Sequence, residues 1–172
     1  TERRWRGALV VLVVAGIAAA VGWGIHALAR TWRWGWIVEI VAASTLVAQR
    51  SLFEHVPDVA AGLASGGIAG GRAAVAKIVG RDPQSLDEHG VCRAAIESLF
   101  ENFSDGVVAP VFWFVVLGLP GLAAAKAINT LDSMIGHLTP RHRAFGEAAA
   151  RLDTAVNFVP ARLAGVGKIG RA

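Results

Sequence analysis

Charged side chains are scarce in this 172-residue chain, at 17%, against about 25% in soluble domains. Hydrophobic residues reach 54%, and the scarcity of charge is concentrated in a few segments that contain almost none. The composition therefore disfavours a soluble globular domain and favours an integral membrane protein. Cysteine is also scarce, since Cys92 stands alone. A disulfide framework is thereby excluded, and the redox compartment is left open.

Signals for several other protein classes are missing as well. The net charge of +4 is spread through junctions and loops, without the clustered basic stripe of nucleic-acid-binding proteins. No nucleic-acid partner is therefore predicted. The sequence shows no strand alternation, no internal repeat, no G-x-x-x-x-G-K-[ST] string and no histidines at metal-ligand spacing. The chain is predicted to be all-α.

Two apolar segments, at about 8–28 and 36–48, predict transmembrane helices. The first holds 21 residues without formal charge, which at 1.5 Å per residue span about 30 Å, the thickness of a hydrocarbon core. The arginines before it place its N-terminus in the cytoplasm. Because no small-residue cleavage site follows, a retained helix is favoured over a signal peptide. Glu39, in the second segment, is interpreted as lying close enough to the interface to be hydrated, with an interior functional carboxylate as the alternative.

The remaining segments are predicted as a cytoplasmic helical region at 49–105, an apolar segment at 107–125 and polar helices at 126–163. Ser65-Gly66-Gly67 interrupts the first region and indicates a helical hairpin. Ser85-Leu86-Asp87-Glu88 has the spacing of a capping box, which would start the next helix. Both features make the region an array of short helices.

The largest concentration of charge lies just before the apolar segment 107–125. Arg93, Glu97 and Glu101 recur every four residues and so share one helix face. Asp105 follows in a predicted turn, which its small and polar neighbours indicate. A solvated helix face with Arg93 paired to Glu97 is the alternative to a functional site, and the spacing alone leaves both open.

Four strings occur in order along the chain: Ile78-Val79-Gly80-Arg81-Asp82, Glu101-Asn102-Phe103-Ser104-Asp105-Gly106, Asn129-Thr130-Leu131-Asp132-Ser133-Met134, and Ala150-Arg151-Leu152-Asp153 through Pro160-Ala161-Arg162-Leu163. Together they resemble the adenosylcobinamide-phosphate synthase family, the membrane proteins of cobalamin biosynthesis. The resemblance covers about Ser44 to Leu163, at the family's spacing. Phe103 departs from it, because the family usually has threonine there. Family members extend further at both ends, so the chain resembles a central fragment.

The resemblance implies a ligase that forms a carbon–nitrogen (amide) bond. Its reaction would be the ATP-dependent joining of adenosylcobyric acid to aminopropanol or aminopropanol phosphate, giving adenosylcobinamide or its phosphate. It also implies a multi-pass protein of the cell (inner) membrane, in contact with the lipid bilayer, with its active site facing the cytoplasm. The oligomeric state is left open.

The chemistry of this reaction predicts which residues form the site. Phosphoryl transfer from ATP relies on Mg²⁺ and cationic groups, and Mg²⁺ prefers one or two carboxylates completed by water and substrate phosphates. Glu101 and Asp105 are the predicted Mg²⁺ ligands. The predicted catalytic residues are Glu101, Asp105, Asp132 and Asp153. The predicted substrate-binding residues are Arg93, Glu97, Asn102, Ser104, Lys126, Asn129, Ser133, Arg151, Asn157 and Arg162.

The segment 107–125 presents a topological choice. If it crossed the membrane once, Asp105 and Asp132 would face opposite compartments, whereas ATP chemistry needs both in the cytoplasm. Pro110 and the Gly118-Leu119-Pro120-Gly121 break permit a re-entrant helical hairpin, which is tolerated where its backbone is buried in protein or lines a cavity. The hypothesis is that the segment enters the membrane and returns.

Two other functions remain open on the residues alone. A membrane transporter or ion-binding protein would use the same carboxylates beside broken helices. A non-catalytic membrane scaffold would retain the strings for helix packing. ATP-dependent conjugation would identify the enzyme, and substrate flux without a covalent product would identify the transporter.

Overall fold

The computed structural model describes residues 2–47, 50–79, 82–136 and 143–165. The end of the predicted segment 36–48, Gly80 and Arg81 of the first string, and 137–142 within the predicted polar helices lie outside these ranges. The elements are α1 (Glu2–Ala29), α2 (Gly35–Leu46), α3 (Arg50–Val75), a 3₁₀ turn (Pro83–Ser85), α4 (Glu88–Phe103), a π-helical segment (Ser104–Val108), α5 (Ala109–Ile135) and α6 (Arg143–Leu163). No strand occurs among the described residues, so the all-α prediction is confirmed.

α1 contains the charge-free segment 8–28 and exposes most of its apolar side chains. By length and composition, α1 and the helical stretch Glu88–Ile135 are long and apolar enough to cross a membrane, and Gly35–Leu46 is a shorter apolar helix. Leu12 is 65% exposed, Leu28 72% and Ile40 55%. Soluble monomers rarely expose large contiguous apolar patches. These faces therefore fit contact with lipid or with another protein surface.

α3 folds back on itself at Gly67, as the glycine string at 65–67 indicates. Gly67 has φ 56° and ψ −147°, a region that essentially only glycine occupies. The arms approach so closely that a Cβ on Gly62 would lie 2.7 Å from the carbonyl oxygen of Gly70. The two arms pack against α4 around one buried cluster, formed by Val59, Val75, Val91, Ala94 and Ala95.

α5 makes the same kind of reversal at Gly118, where φ is 68° and ψ is −160°. A Cβ on Gly121 would lie 2.8 Å from the carbonyl oxygen of Trp113. In a straight helix two residues eight positions apart are separated by about 12 Å. The arms 109–117 and 119–135 therefore run antiparallel and form a second helical hairpin.

The tip of the α5 hairpin contacts α1. A Cβ on Gly22 would lie 2.9 Å from the carbonyl oxygen of Leu119, so this approach requires glycine. Gly22 precedes the end of α1 at Ala29 by seven residues, or about 10 Å along the axis. The hairpin therefore stops short of the far end of α1.

α6 holds the α5 hairpin from the other side. A second buried cluster joins three helices through Val11 of α1, Ile128 of α5 and Ala149 of α6. The first arm is fixed as well, because the Trp113 indole Nε1 donates to the carbonyl oxygen of Val156 at 3.2 Å. Both arms of the hairpin are thus positioned against α6.

The start of α4 differs from the capping-box prediction. Ser85 ends the 3₁₀ turn, and its hydroxyl donates to the carbonyl oxygen of Asp82 at 2.8 Å. Asp87 is the N-cap, and its carboxylate accepts from the Gly90 N–H at 2.7 Å. The capping-box prediction is wrong because the proline-led turn uses the Ser85 hydroxyl before the helix begins.

This correction gives a stability prediction. Asp87→Ala should destabilise the protein by about 1 kcal/mol, because an N–H in the first turn of α4 loses its acceptor. Ser85→Ala removes an exposed contact and should change stability by less than about 0.5 kcal/mol. Thermal unfolding of the intact protein in detergent measures both. A larger loss for Ser85→Ala than for Asp87→Ala would contradict the assignment.

Candidate functional site

α4 does not end at the turn predicted around Asp105. The backbone widens into the π-helical segment Ser104–Val108, which is closed by a hydrogen bond from the Ala109 N–H to the Ser104 carbonyl, and then continues as α5. The turn prediction is wrong because these small and polar residues are accommodated in a wider helical turn. Single π-helical turns inside α-helices occur frequently at functional sites.

Asp105 is half-buried in this π-helical segment and lies within electrostatic reach of four charged side chains. Three are the carboxylates of Glu101, Asp132 and Asp153, and the fourth is the ammonium of Lys126. The reversal of α5 at Gly118 returns the chain toward Asp105, so that Asp132 reaches its level and Lys126 lies part of the way back. Glu101, Asp105, Asp132 and Asp153, called here the carboxylate cluster, are the four predicted catalytic residues, and the fold brings them together.

Asp153 is held by amides from two helices. The Asn129 Nδ2 of α5 donates to its Oδ1 at 3.4 Å, and the Asn157 Nδ2 of α6 donates to its Oδ2 at 3.0 Å. Burial raises the pKa of the Asp153 carboxyl, and the Asp132 carboxylate adds to the rise, while the two amide hydrogen bonds oppose it. The result is a fixed carboxyl group with a pKa above its ordinary value.

The stability of the protein should depend on pH through Asp153. Because its pKa is raised in the folded state, its stabilising contribution is complete below the ordinary carboxyl pKa and is lost as pH rises through the raised value. Relative to Asp153→Asn, the wild-type thermal midpoint should therefore fall as pH rises above the ordinary carboxyl pKa of about 4. Thr154→Ala, a neutral change beside it, should differ from wild type by a constant amount. A constant difference for Asp153→Asn would contradict the prediction.

Ser104 is the second unusual group in the site. It is only 2% exposed, and its Oγ has no hydrogen-bond partner among the described residues. An unpaired buried hydroxyl costs about 1–3 kcal/mol, which makes Ser104 a candidate for contact with a ligand. Ser104 follows Glu101 by three residues, a spacing at which side chains on a helix are neighbours.

Asn102, by contrast, is tied to the scaffold. Its Nδ2 donates to the carbonyl oxygen of Ser98 at 2.8 Å and to the Ser98 hydroxyl at 3.3 Å. The Ser98 hydroxyl in turn donates to the carbonyl oxygen of Ile78 at 3.3 Å. This chain of contacts joins α4 to the segment after α3. The sequence indicated no role for Ser98, whose one signal is a small polar residue on the packed side of α4.

The other predicted substrate-binding residues lie at different distances from the cluster. The Ser133 hydroxyl donates to the carbonyl oxygen of Asn129 at 3.0 Å, within the second arm of α5. The Arg162 guanidinium stacks over the Phe158 ring, 3.6 Å from its centroid. Arg162 follows Asp153 by nine residues, or about 13 Å along α6. Ser133 therefore lies near the cluster and Arg162 does not.

Three further predicted residues lie on the helices that carry Glu101 and Asp153. On α4, Arg93 is exposed and Glu97 is half-buried. On α6, Arg151 is exposed and pairs with Glu147 at 2.7 Å. Residues two apart on a helix do not share a face, so Arg151 points away from Asp153. The fold does not bring Arg151 to the carboxylate cluster.

Glu39 has a side-chain partner in the fold, while its hydration at the membrane interface stays a prediction. It is partly buried and hydrogen-bonded to the Nδ1 of His26 on α1. The Trp23 ring lies against His26, with ring centroids 5.9 Å apart. His26 precedes the connector between α1 and α2 by nearly the same number of residues as Glu39 follows it. This symmetric spacing is the sequence signal that could have revealed the pair.

Mg²⁺ binding at the cluster depends on how many of its carboxylates can reach one ion. No group of three or more His, Cys, Asp or Glu side chains that could hold a metal ion occurs within the described residues. Glu101 and Asp105 offer two carboxylates one helical turn apart. That number suits Mg²⁺ when water and substrate phosphates complete its shell. The pair therefore fits Mg²⁺ carried in with a phosphate, and its role stays a prediction.

An apolar cavity lies beside Lys126. Its volume is about 560 Å³, and its walls come from α1, α2 and the second arm of α5. Lys126 is its charged lining residue, with Thr45 and Thr130 as the hydroxyl groups. Lys126 thus faces two environments, the carboxylate cluster and a space lined mainly by aliphatic side chains.

Comparison with known proteins gives a consistent result. The family model described as CobD/Cbib protein matches residues 1–169. The chain is 55% identical to "Cobalamin biosynthesis protein CobD" of Sinorhizobium sp over 164 residues, which are 95% of this chain and 51% of that protein. The Brucella suis protein of the same name is 62% identical over 132 residues, 77% of this chain and 40% of that protein. The chain spans about half the length of the curated relatives it matches. No solved structure matches it significantly.

Proposed function

The chain belongs to the CobD/Cbib protein family, and on that premise we propose that it acts in cobalamin biosynthesis. We propose further that the whole protein catalyses ATP-dependent amide formation between adenosylcobyric acid and aminopropanol or aminopropanol phosphate. The names of the relatives support the pathway. The ordered strings that resemble adenosylcobinamide-phosphate synthases support the reaction.

One observation supports this site above all others: three carboxylates and Lys126, from α4, α5 and α6, converge around Asp105. An amine reaches the site as an ammonium ion, which carboxylates attract, and it must lose a proton before it can attack. Asp153 is the proposed proton acceptor. Its raised pKa brings it closer to the working pH, as general base catalysis requires, and two amides fix its orientation.

ATP would supply the phosphoryl group that activates the carboxyl group of adenosylcobyric acid. In this proposal Glu101 and Asp105 hold Mg²⁺, and the Lys126 ammonium neutralises a phosphate oxygen. The Ser104 hydroxyl, buried without a partner, donates to a substrate oxygen. The adjoining cavity, bounded by α1 and α2, excludes water from one side of the reacting groups.

We propose that α1 and α2 span the membrane and that the α5 hairpin re-enters it from the cytoplasmic side. The hairpin tip contacts Gly22, short of the far end of α1. Both ends of the hairpin carry cluster residues, Asp105 at one and Asp132 at the other. A backbone break such as Gly118 is tolerated at membrane depth where protein surrounds it, and α1 and α6 lie on either side.

Labelling with a membrane-impermeant maleimide tests this topology. In a Cys92→Ser background, Phe103→Cys and Met134→Cys introduce thiols at exposed positions before and after the hairpin. Both should react only from the cytoplasmic side. Thr31→Cys, in the connector after α1, should react only from the opposite side. Reaction of the first two thiols from different sides would overturn the re-entrant arrangement.

The activity itself is tested with the intact protein in detergent or nanodiscs. Adenosylcobyric acid, ATP, Mg²⁺ and either aminopropanol or its phosphate should give a product whose mass equals the two substrates minus water. Absence of product with both amines would overturn the proposal. Uptake of a substrate into proteoliposomes without a covalent product would instead identify a transporter.

A further inference from the structure

A small pocket between α1 and α6 lies outside the carboxylate cluster. Its volume is about 330 Å³, and it is lined by Arg4, Trp5, Ala8, Glu147, Ala148 and Arg151. It includes Arg151, the predicted substrate-binding residue that the fold turns away from Asp153. Arg151 therefore lines a second pocket, and this pocket takes no part in the proposed reaction.

Two guanidinium groups from different helices are fixed by one carboxylate. The Arg4 Nε pairs with the Glu147 Oε2 at 3.0 Å, and the Arg151 Nη2 pairs with the Glu147 Oε1 at 2.7 Å. The Arg4 and Arg151 side chains are 66% and 79% exposed. Each guanidinium has five N–H donors, so most of these donors remain accessible. Arg4, Arg151 and Glu147 together carry a net positive charge. Their geometry suits the binding of an oxyanion.

The surroundings of this pocket are those of a membrane surface. Trp5 is 77% exposed at its edge, and tryptophan is enriched at headgroup depth. The two alanines give it an apolar floor. The charge-free run of α1 begins directly after it, with Leu9 and Leu12 exposed. A ligand with a charged head and an apolar tail would match both parts of this surface.

We propose that the pocket formed by Arg4, Trp5 and Arg151 binds the phosphate of an anionic phospholipid headgroup, with the acyl chains along the exposed face of α1. This inference rests on the membrane placement proposed above. Basic pockets at the cytoplasmic side of membrane helices bind such headgroups. A soluble phosphate carries the same kind of charge, but it has no apolar part that could contact the exposed face of α1.

Lipid retention tests the proposal directly. The intact protein is purified from mixed micelles of dioleoylphosphatidylglycerol and dioleoylphosphatidylcholine, and bound lipids are counted by native mass spectrometry. Wild type should retain the phosphatidylglycerol preferentially. The double change Arg4→Gln with Arg151→Gln should weaken retention about tenfold or more. The matched change Arg30→Gln with Arg33→Gln, beyond the other end of α1, should leave it unaltered.

The outcomes separate the two sources of phosphate. Equal retention by wild type and the Arg4/Arg151 double variant would overturn the proposal. Displacement of the lipid by millimolar inorganic phosphate or ATP would show a soluble phosphate site instead, and would also overturn it. If the double variant does not fold, Arg4→Lys, which keeps the charge but loses the guanidinium fork, should reduce retention partially. A wild-type protein that retains both lipids equally but forms the conjugated product would overturn this pocket and leave the proposed function standing.

Discussion

Asp105→Asn is expected to lower the rate of ATP-dependent conjugation by about 100-fold or more. Asp105 is the residue around which Glu101, Asp132, Asp153 and Lys126 converge, and it is a proposed Mg²⁺ ligand. An amide in its place retains the shape of the side chain but lacks the charge that a metal ion and a cationic substrate require. Steady-state kinetics at saturating ATP measures the effect on kcat.

The same substitution should not harm the fold. Like charges crowd Asp105 in the folded state, so removing one of them should leave the thermal midpoint unchanged or raise it. Stabilisation with loss of activity is typical of functional sites. Asp58→Asn, at an exposed position on α3, is the matched control and should retain the wild-type rate. Full activity of Asp105→Asn would remove this residue from the proposed site, and loss of folding would show a structural role.

Gly118→Ala should destabilise the protein by about 1–3 kcal/mol, since its φ of 68° and ψ of −160° are strained for any residue with a Cβ. A collision is not the cause, because the nearest atom to an added Cβ is the Pro120 Cδ at 3.7 Å. Relief of the strain would straighten the reversal and move Lys126 and Asp132 away from Asp105. Both the thermal midpoint and the conjugating activity should therefore fall.

Two glycines provide controls for this experiment. Gly24→Ala lies in open space within α1 and should be neutral or slightly stabilising. Gly67→Ala places a side chain in the same backbone region as Gly118, but the reversal of α3 carries no cluster residue. Gly67→Ala should therefore lower stability while the folded fraction keeps its activity. Equal losses of activity at Gly67 and Gly118 would contradict the link between the α5 hairpin and the site.

Local signals predicted the helical elements well. The charge-free run from Ala8 to Leu28 lies inside α1, since length and apolarity are properties of the segment itself. The glycines at 65–67 marked a reversal because their backbone freedom is also local. The resemblance, seen from Ser44 to Leu163, is supported by a family model that matches from residue 1 to 169, so α1 lies within the family's region too. The synthase activity stays a proposal.

Sequence signals were less informative where two neighbouring residues, or two local structures, compete for the same position. Ser85 and Asp87 could each cap α4, and the choice depends on a 3₁₀ turn that consumes the Ser85 hydroxyl. The residues around Asp105 suit a turn as well as a π-helical segment. Long-range pairs were missed for another reason. The bond between His26 and Glu39, and the pairing of Arg4 with Glu147, depend on how helices pack.

The contact between the α5 hairpin and Gly22 has a consequence for biogenesis. α1 leaves the ribosome long before residues 109–135, so the surface that receives the hairpin tip already exists when the hairpin is translated. α1 can contact one side of the hairpin as the hairpin is made, and α6 can contact the other side only after residues 143–163 are translated. The order in which the chain is synthesised therefore matches the order in which the helices around the candidate site can pack.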